Sequence, residues 1–507
     1  MDIEIFEKDF IIIDKETLFK WEEGNILNLS NLGITFSTSN SKYFYDTKTE
    51  KVFRCEPTQY NILNDILNGV DIYDKYLDKE IEKVNAIIEN TKILSNEKDL
   101  QFYDGYREFI EHSTDIVTQI VFELTENCNF RCKYCIYNEQ SDYFRNFSAK
   151  NMNEEIIKKA LDYMLPLAKG LLVIGFYGGE PLVRFDLIEK TVNYVNIHKP
   201  KKLKIKYALT TNLSLMTRER AHFFANLEDC TITCSIDGPK NIHDNFRVSI
   251  NDEGTFDKTI EGLHNLIDAF GERAKRCLSI YTVICPPYTD ERLQAIYDFF
   301  TGLDWLPKEI NCENTKVKAG TYEVKDNIEY PNKLLSEPIK DFFLRKSLKT
   351  TDPFDYAVQA IRRLIIKINN RRISQAPGCI IPMNGCCIPG QKRIFITTNG
   401  EFKVCEKIGH SPSIGNVETG FNKDELIKHY YYDYIEQSKN DCLHCWASKL
   451  CPACFSNCYD EKGFNIVAKR NDCIRMKNFV KDCLIIYHEL LENNPELLVN
   501  IIKSIDN

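Results

Sequence analysis

The most informative motif of the chain lies at residues 126–135, which read Glu126-Asn127-Cys128-Asn129-Phe130-Arg131-Cys132-Lys133-Tyr134-Cys135. The three cysteines are spaced Cys-x3-Cys-x2-Cys and follow the apolar segment Ile116–Leu124, which predicts a buried strand. Three thiolates can hold three irons of a four-iron cluster, and the fourth iron then stays open to another ligand. A zinc site is the alternative interpretation of these three residues taken alone.

Beyond this loop, strand and helix patterns alternate along the chain. The further strand candidates are Leu171–Tyr177, Lys204–Thr210, Cys230–Ile236, Cys277–Ile284 and Glu309–Glu313. Helical patterns separate them at Glu154–Ala168, Asp186–Ile197, Thr217–Asn226, Phe256–Ala269 and Asp290–Thr301. Such alternation favours a parallel sheet, and six units are fewer than a complete eight-fold barrel requires. We therefore predict an α/β fold with a parallel sheet that is either open or barrel-like.

Short polar motifs follow the predicted strands in order. They are Gly178-Gly179-Glu180-Pro181, Thr211-Asn212, Ser235-Ile236-Asp237-Gly238 and, a little later, Arg247. Ligands collect at the carboxyl ends of strands in such folds. Glycines let a ligand approach the backbone closely, a carboxylate suits an ammonium group, and arginine suits a carboxylate.

With Tyr134 just before the last cysteine, this series of motifs resembles the radical S-adenosylmethionine (SAM) superfamily. The resemblance implies a partial (β/α)6 barrel in which Cys128, Cys132 and Cys135 hold a 4Fe–4S cluster to which SAM binds. It also implies that Gly178, Gly179 and Glu180 bind the SAM amino group, and that Ser235 and Asp237 contact its ribose and carboxylate. The remaining SAM contacts it implies are Tyr134, Asn212 and Arg247.

Composition restricts the class of protein further. The chain has 507 residues, 20 of them cysteine, and a formal net charge of −9 from 65 basic and 74 acidic residues. This acidic balance lacks the chain-wide excess of basic residues that is typical of nucleic-acid-binding proteins. The acidic N-terminus does not have the pattern of a secretory signal. The sequence contains no run of about 20 apolar residues, so we predict no membrane span. We expect a cytoplasmic protein, in which metal binding is a commoner use of cysteine than disulfides.

A second group of cysteines lies near the C-terminus. Beside a radical SAM core its spacing resembles a SPASM domain, a module that carries two auxiliary 4Fe–4S clusters, although Cys-x2-Cys pairs are also typical of zinc sites. The resemblance implies an outer cluster on Cys442, Cys445, Cys451 and Cys473. It implies an inner cluster on Cys387, Cys405 and either Cys454 or Cys458, completed by Cys379 or Cys386 or left open to a substrate thiolate. The family spacing falls on Phe455, so the choice between Cys454 and Cys458 stays open. The other cysteines are interpreted as core residues: Cys55, Cys230, Cys234, Cys277, Cys285, Cys312 and Cys483.

Residues 1–95 predict a small winged-helix-like module. Strand patterns at Ile11–Ile13, Gly33–Phe36, Tyr43–Tyr45 and Lys51–Cys55 precede helical patterns from Pro57 and from Tyr73. The module resembles the peptide-recognition element of enzymes that modify ribosomally made peptides, which captures a leader peptide as an extra strand. An unrelated packing domain is the alternative interpretation.

The whole chain then resembles a maturase of Cys-rich precursor peptides, of the sactipeptide or ranthipeptide synthase type. The resemblance implies three 4Fe–4S clusters, SAM, a 5′-deoxyadenosyl radical, an electron donor such as flavodoxin or ferredoxin, and thioether cross-links from cysteine sulfur to a carbon. Formylglycine-forming sulfatase maturation, carbon–carbon cross-linking and epimerisation are alternatives, as is a zinc-binding interaction protein. The predicted divisions are 1–95, a linker at 96–115, the core at 116–335, a helical bridge at 336–376, the SPASM region at 377–483 and a C-terminal helix at 484–507.

Overall fold

The computed structural model describes residues 31–95, 100–137, 145–317, 337–381, 387–407 and 409–505. Its first unit is an antiparallel sheet of three strands, β1 (Gly33–Ser37), β2 (Lys42–Asp46) and β3 (Val52–Cys55), in that order. Two helices follow, α1 (Pro57–Leu67) and α2 (Asp78–Thr91), so the second helix begins later than the pattern from Tyr73 predicted. The strand predicted at Ile11–Ile13 lies outside the described residues.

The two faces of this small sheet pack in different directions, because side chains alternate along a strand. Phe44 and Phe53 contribute to a separate core with Ile62 and Leu63 of α1. Tyr43 and Tyr45, on the opposite face, belong to the main core of the chain. The module is therefore fastened to the rest of the protein by one face of its sheet.

The centre of the molecule is a parallel sheet, as predicted. After β4 (Gln101–Phe102), its strands are β5 (Val117–Thr125), β6 (Ala168–Gly178), β7 (Lys204–Thr211), β8 (Cys230–Ser235), β9 (Leu278–Ile284) and β10 (Asn311–Lys316). They lie side by side in chain order, and every adjacent pair is parallel. All six therefore bring their carboxyl ends, and the motifs that follow them, to the same edge.

Helices connect these strands. They are α3 (Tyr106–Glu111), α4 (Glu154–Met164), α5 (Phe185–His198), α6 (Arg218–Ala225), α7 (Lys240–Phe246), α8 (Phe256–Phe270), α9 (Ala274–Cys277) and α10 (Asp290–Thr301). Three of these helices, α4, α6 and α10, begin at an Asn or Thr whose side chain accepts a hydrogen bond from a backbone N–H of the first turn. Asn153, for example, accepts hydrogen bonds from the N–H groups of Glu155 and Ile156 at the start of α4.

The sheet contains two strands that the sequence pattern did not assign to it. After α11 (Glu337–Ser347), α12 (Tyr356–Asn369) and β11 (Ile380–Ile381), the hairpin β12 (Ile394–Ile396) and β13 (Phe402–Lys403) forms around the sequence Asn399-Gly400. Strand β12 pairs in parallel with β5 and extends the sheet to eight strands. The C-terminal region is thus joined to the barrel by backbone hydrogen bonds.

The C-terminal region continues with short strand pairs and helices. These are β14 (Gly415–Asn416), β15 (Gly420–Phe421), α13 (Lys423–Ile427), a π-helical segment at Lys428–Glu436, α14 (Gln437–Leu443), β16 (Tyr459–Asp460), β17 (Gly463–Phe464), α15 (Ile466–Asn493) and α16 (Pro495–Lys503). The C-terminal helix predicted at 484–507 in fact begins at Ile466, where Asn465 caps it, and ends at Asn493 before a second helix. Among the residues that the structure describes, no helix is both long and apolar enough to span a membrane.

Candidate active site at the carboxyl edge of the sheet

The loop that carries the first three cysteines is held on both sides by backbone hydrogen bonds. The N–H of Gly179 donates to the carbonyl of Thr125 at 2.7 Å, and the N–H of Glu180 donates to that of Asn127 at 2.9 Å. On the other side, the N–H groups of Arg131 and Lys133 donate to the carbonyls of residues 248 and 246 at 2.8 and 2.9 Å. The loop is therefore fixed between the end of β6 and the segment that ends and follows the helix Lys240–Phe246, rather than free in solvent.

Two glycines allow this close approach. A Cβ on Gly179 would lie 2.1 Å from the carbonyl oxygen of Asn127, and one on Gly178 would lie 2.3 Å from that of Thr125. Gly178 also has a φ of +140°, which side-chain-bearing residues rarely adopt. The Gly-Gly pair is thus required by the packing of strand end against cysteine loop, whatever ligand the site binds.

The three thiols of the loop lie in one buried environment. Burial raises the pKa of Cys132 to about 12, and it also raises the pKa of Cys128 and Cys135. The negative charge of Glu180, and after it those of Cys132 and Cys135, raises the pKa of Cys128 further, so the three thiols lie within electrostatic range of one another. Thiols in this state stay protonated near neutral pH until a metal binds and displaces the proton.

Glu180 is buried and held by three donors. Its carboxylate accepts hydrogen bonds from the N–H of Leu182 at 3.1 Å, the hydroxyl of Thr211 at 2.7 Å and the N–H of Asn212 at 2.8 Å. Burial nevertheless raises its pKa to about 7. A cationic ligand at this position would favour the ionised form of the Glu180 carboxylate and so lower its pKa.

Asn212 joins this carboxylate to the cysteine loop. Its side-chain amide donates to Oδ1 of Asn129 at 3.0 Å and lies 4.0 Å from the sulfur of Cys128. The predicted residues Gly178, Gly179, Glu180 and Asn212 therefore surround Cys128, as the order of the strands requires.

A second polar group lies across the strand ends from Glu180. Asp237 accepts hydrogen bonds from the hydroxyl of Tyr134 at 2.5 Å, Nε of Arg247 at 2.9 Å and the N–H of Val283 at 3.0 Å. Burial opposes the charge of Arg247, but Asp237, Tyr134 and Cys132 together outweigh burial and hold the pKa of the guanidinium above its usual value. Ser235 ends β8 and is half-buried two residues before Asp237.

Two further residues of this site were missed in the sequence. Cys285, interpreted above as a core residue, is buried just after β9, and its pKa is raised first by burial and then by the charge of Asp237. His243 is fully buried, its Nδ1 lies 3.5 Å from the backbone nitrogen of Asp237, and burial lowers its pKa to about 4. The position of Cys285 at a strand end was the signal that could have identified it, because all such ends share one edge.

The cysteines predicted for the outer cluster also converge. The ammonium group of Lys469, on α15, lies 3.7 Å from the sulfur of Cys442 and 3.5 Å from that of Cys473. After burial, the charges that raise the pKa of Cys451 are those of Cys445, Cys442 and Cys473. A buried cation among four thiols suits a cluster with negatively charged thiolate ligands.

The cysteines predicted for the inner cluster are more widely distributed. Cys405 and Cys454 both raise the pKa of the Tyr430 hydroxyl after burial does, whereas Cys458 lies fully buried in electrostatic range of Asp472, Lys469, Cys454 and Cys473. The sulfur of Cys405 lies 3.2 Å from Glu406, which forms an ion pair with Arg393.

Two other cysteines predicted as ligands of the inner cluster have different surroundings. Cys387 is half-buried, and Cys379 lies in electrostatic range of Lys449. Cys386 lies outside the described residues.

The donor sets fit iron–sulfur clusters in chemistry, since each is composed of buried or half-buried thiols. Within the described ranges, no three His, Cys, Asp or Glu side chains are arranged as ligands of a single metal ion. The geometry thus defines an α/β enzyme fold with a cysteine loop, a buried carboxylate and a buried Arg–Asp pair at the carboxyl edge of its sheet.

Comparison with known proteins identifies the family. The description "Radical SAM superfamily" fits residues 122–300. An uncharacterized protein of Methanocaldococcus jannaschii is 31% identical over 227 residues, which are 44% of this chain and 72% of that protein. The chain belongs to the radical SAM superfamily.

Other relatives extend the similarity beyond the barrel. The cysteine-type anaerobic sulfatase-maturating enzyme of Clostridium novyi is 26% identical over 375 residues, 72% of this chain and 93% of that enzyme. A solved structure described as native anSMEcpe with bound AdoMet and Kp18Cys peptide covers 76% of this chain and 99% of its own, at a TM-score of 0.55 and 20% identity. The structural likeness confirms the predicted fold class.

Proposed function

We propose that this protein is a SAM-dependent maturase that forms thioether cross-links in a ribosomally made, Cys-rich precursor peptide. A 4Fe–4S cluster with bound SAM supplies the radical chemistry that removes a hydrogen atom from a carbon of the peptide. The protein supplies ligands, orientation and an environment that excludes competing reactions.

The first part of the proposal concerns the carboxyl edge of the sheet. Cys128, Cys132 and Cys135 hold the cluster, and their high pKa values mean that cluster binding releases protons. Glu180 receives the SAM ammonium group, which favours the ionised carboxylate. Arg247 and Asp237 orient the carboxylate and ribose, with Ser235, Asn212 and Tyr134 beside them.

The second part concerns the two auxiliary clusters. Cys442, Cys445, Cys451 and Cys473 hold the outer cluster, where Lys469 offsets part of the negative charge. Cys387 and Cys405 contribute to the inner cluster with Cys454 rather than Cys458, since Cys405 and Cys454 share Tyr430 as a neighbour. Its last position is taken by Cys379 or Cys386, or by a thiolate of the peptide.

The N-terminal module is the observation that carries the choice of a peptide substrate. Within the described residues, β3 pairs with β2 alone, so its other edge can accept a strand of leader peptide. The module is docked on the cysteine-rich region, because the hydroxyl of Thr47 donates to the carbonyl of Trp446 at 2.8 Å and Tyr45 packs edge-on against that indole. A leader held here delivers its core peptide near the clusters.

Coexpression with a Cys-rich peptide encoded next to this protein tests the proposal. We expect a product that has lost two hydrogens for each bridge and whose bridged cysteines resist alkylation by iodoacetamide. A variant with Cys132→Ala is the inactive control, and Cys230→Ala, a buried cysteine away from the cluster loop, is the matched control that should keep activity. Recovery of the peptide with unchanged mass from iron-loaded protein would contradict the proposal.

A second candidate is formylglycine formation on a sulfatase, which the similarity to the Clostridium novyi enzyme favours. Both reactions remove a hydrogen atom from the substrate, but formylglycine carries an aldehyde where the cysteine sulfur has been lost. A hydrazide probe that labels the product would support this second candidate, and an unlabelled, alkylation-resistant product would support thioether formation.

A further inference from the structure

The first half of α15 is basic in an otherwise acidic chain. Residues 466–481 contain five basic residues and one acidic residue, although the whole chain has a net charge of −9. The basic residues are Lys469, Arg470, Arg475, Lys477 and Lys481, and the acidic one is Asp472. Lys469 is buried and Arg475 pairs with Asp472, so the positive charge that this stretch presents at the surface comes from Arg470, Lys477 and Lys481.

Apolar side chains stand exposed on the same stretch. Val467 is 63% exposed and Ile474 is 51% exposed, and the side chain of Arg470 between them is 61% exposed. The spacings of three and four residues place these positions on one face of the helix, which Lys477 and Lys481 continue. At 1.5 Å per residue the face is about 21 Å long, enough for a small transient interface.

The charges of this face are only partly compensated within the molecule. Arg470 forms an ion pair with Asp441 at 2.8 Å, whereas no ion pair of Lys477 or Lys481 occurs among the residues that the structure describes. Neither lysine is therefore neutralised by a carboxylate of the described residues, and both stand half-buried at this surface.

The face also lies over the outer group of cysteines. Cys473 precedes Ile474 on the same helix and is half-buried, and Lys477 is close enough to Cys445 to lower the pKa of its thiol, against the larger effect of burial. Exposed apolar residues and cations without a described carboxylate partner therefore occur together directly above a group of thiols.

We infer that this face of α15, formed by Val467, Arg470, Ile474, Lys477 and Lys481, is the docking surface for a small acidic one-electron carrier protein. The inference rests on the auxiliary outer cluster of the proposed function. One electron crosses the interface in each encounter, the carrier and the cluster change by one electron in opposite senses, and no bond is formed or broken. Opposite charge accelerates such an encounter and orients it, while the apolar residues supply contact area.

The test is a binding measurement that needs no turnover. Oxidised flavodoxin with its flavin bound is titrated onto the purified, iron-loaded protein by biolayer interferometry at 50 and 300 mM NaCl. We expect Kd to rise at least tenfold between the two salt concentrations, because screening weakens exposed charge pairs. We expect the double variant Lys477→Glu/Lys481→Glu to bind at least tenfold more weakly at 50 mM NaCl and to lose most of the salt dependence.

Two further variants keep the result interpretable. Lys202→Glu makes the same charge change per residue in the exposed loop before β7, and we expect its Kd to stay within twofold of wild type. Val467→Ser/Ile474→Ser keeps the charge and should weaken binding severalfold, with little effect on folding because both side chains are exposed. Iron content and thermal unfolding of every variant show whether the cluster region is intact.

The inference is overturned if the double variant binds flavodoxin like wild type, or if Lys202→Glu weakens binding as much. It is also overturned if the double variant keeps flavodoxin but loses the precursor peptide, because the face would then belong to the peptide. Cross-linking driven by dithionite is measured on the same samples. Cross-linked peptide without flavodoxin binding refutes this inference alone, and flavodoxin binding without cross-linked peptide refutes the proposed function alone.

Discussion

Gly179 connects the cysteine loop to the strand end, and its replacement by alanine tests that connection directly. The added Cβ would lie 2.1 Å from the carbonyl oxygen of Asn127, 2.4 Å from its carbonyl carbon and 2.9 Å from the backbone nitrogen of Cys128. All three atoms belong to backbone, so no side-chain rotation can relieve the overlap. Bringing the closest contact to 3.0 Å requires the loop to move by about 1 Å.

The magnitude follows from this displacement. Overpacking of this kind costs about 1–3 kcal/mol of unfolding free energy. A misplacement of about 1 Å at a reacting centre costs roughly 100-fold in rate. We expect Gly179→Ala to lose iron from the first cluster and to cleave SAM roughly 100-fold more slowly than wild type.

The assays are iron content, urea unfolding, and chromatographic detection of 5′-deoxyadenosine from SAM with dithionite as reductant. Gly175→Ala is the matched control on the preceding strand. Its nearest contact would be a methyl group of the Val121 side chain at 3.0 Å, and the nearest backbone atom, the carbonyl oxygen of Ile120, would lie at 3.5 Å. Full iron content and SAM cleavage within twofold of wild type in Gly179→Ala would refute the reasoning.

Three other predictions follow from buried groups. Asp237→Asn leaves the Arg247 guanidinium without its charge partner, so the free energy of unfolding measured in urea should fall by about 3–5 kcal/mol. Tyr134→Phe removes only one hydrogen bond to Asp237 and should lower it by about 1 kcal/mol. Equal losses in the two variants would contradict this prediction. His243 has a folded pKa of about 4, below its unfolded value, so the unfolded chain binds more protons as pH falls. Between pH 7 and 4.5, wild type should therefore lose about 2 kcal/mol more stability than His243→Asn, and parallel pH profiles would be inconsistent with it. Cys451→Ala should lose about four irons per chain, whereas the buried Cys483→Ala should keep them; unchanged iron in Cys451→Ala would exclude it as a ligand.

The parallel strands were predictable because their apolar runs and following motifs are local in sequence. Since parallel strands end at one edge, the convergence of Glu180, Asn212 and Asp237 near the cysteine loop could also be predicted. The proximity of Cys285 could have been inferred by the same rule, but its apolar surroundings favoured a core role.

Other features carry no local signal. The pairing of Ile394–Ile396 with β5 joins residues about 270 positions apart, and the same hairpin pattern is compatible with an isolated ribbon. The early turns of α15 contain buried Lys469 and Asp472, because they pack on thiols and polar groups rather than on an apolar core. Apolar periodicity therefore misses those turns and detects only the later part of the helix.

The pairing of β12 with β5 also has a consequence for synthesis of the chain. Strand β5 leaves the ribosome about 270 residues before its neighbour, which at roughly 5–20 residues per second is a delay of roughly 15–50 s. During that interval one side of β5 has no strand beside it, and an unpaired edge is a template for association with another chain. Slower translation lengthens this exposure, so the yield of folded protein should depend on elongation rate as well as on iron supply.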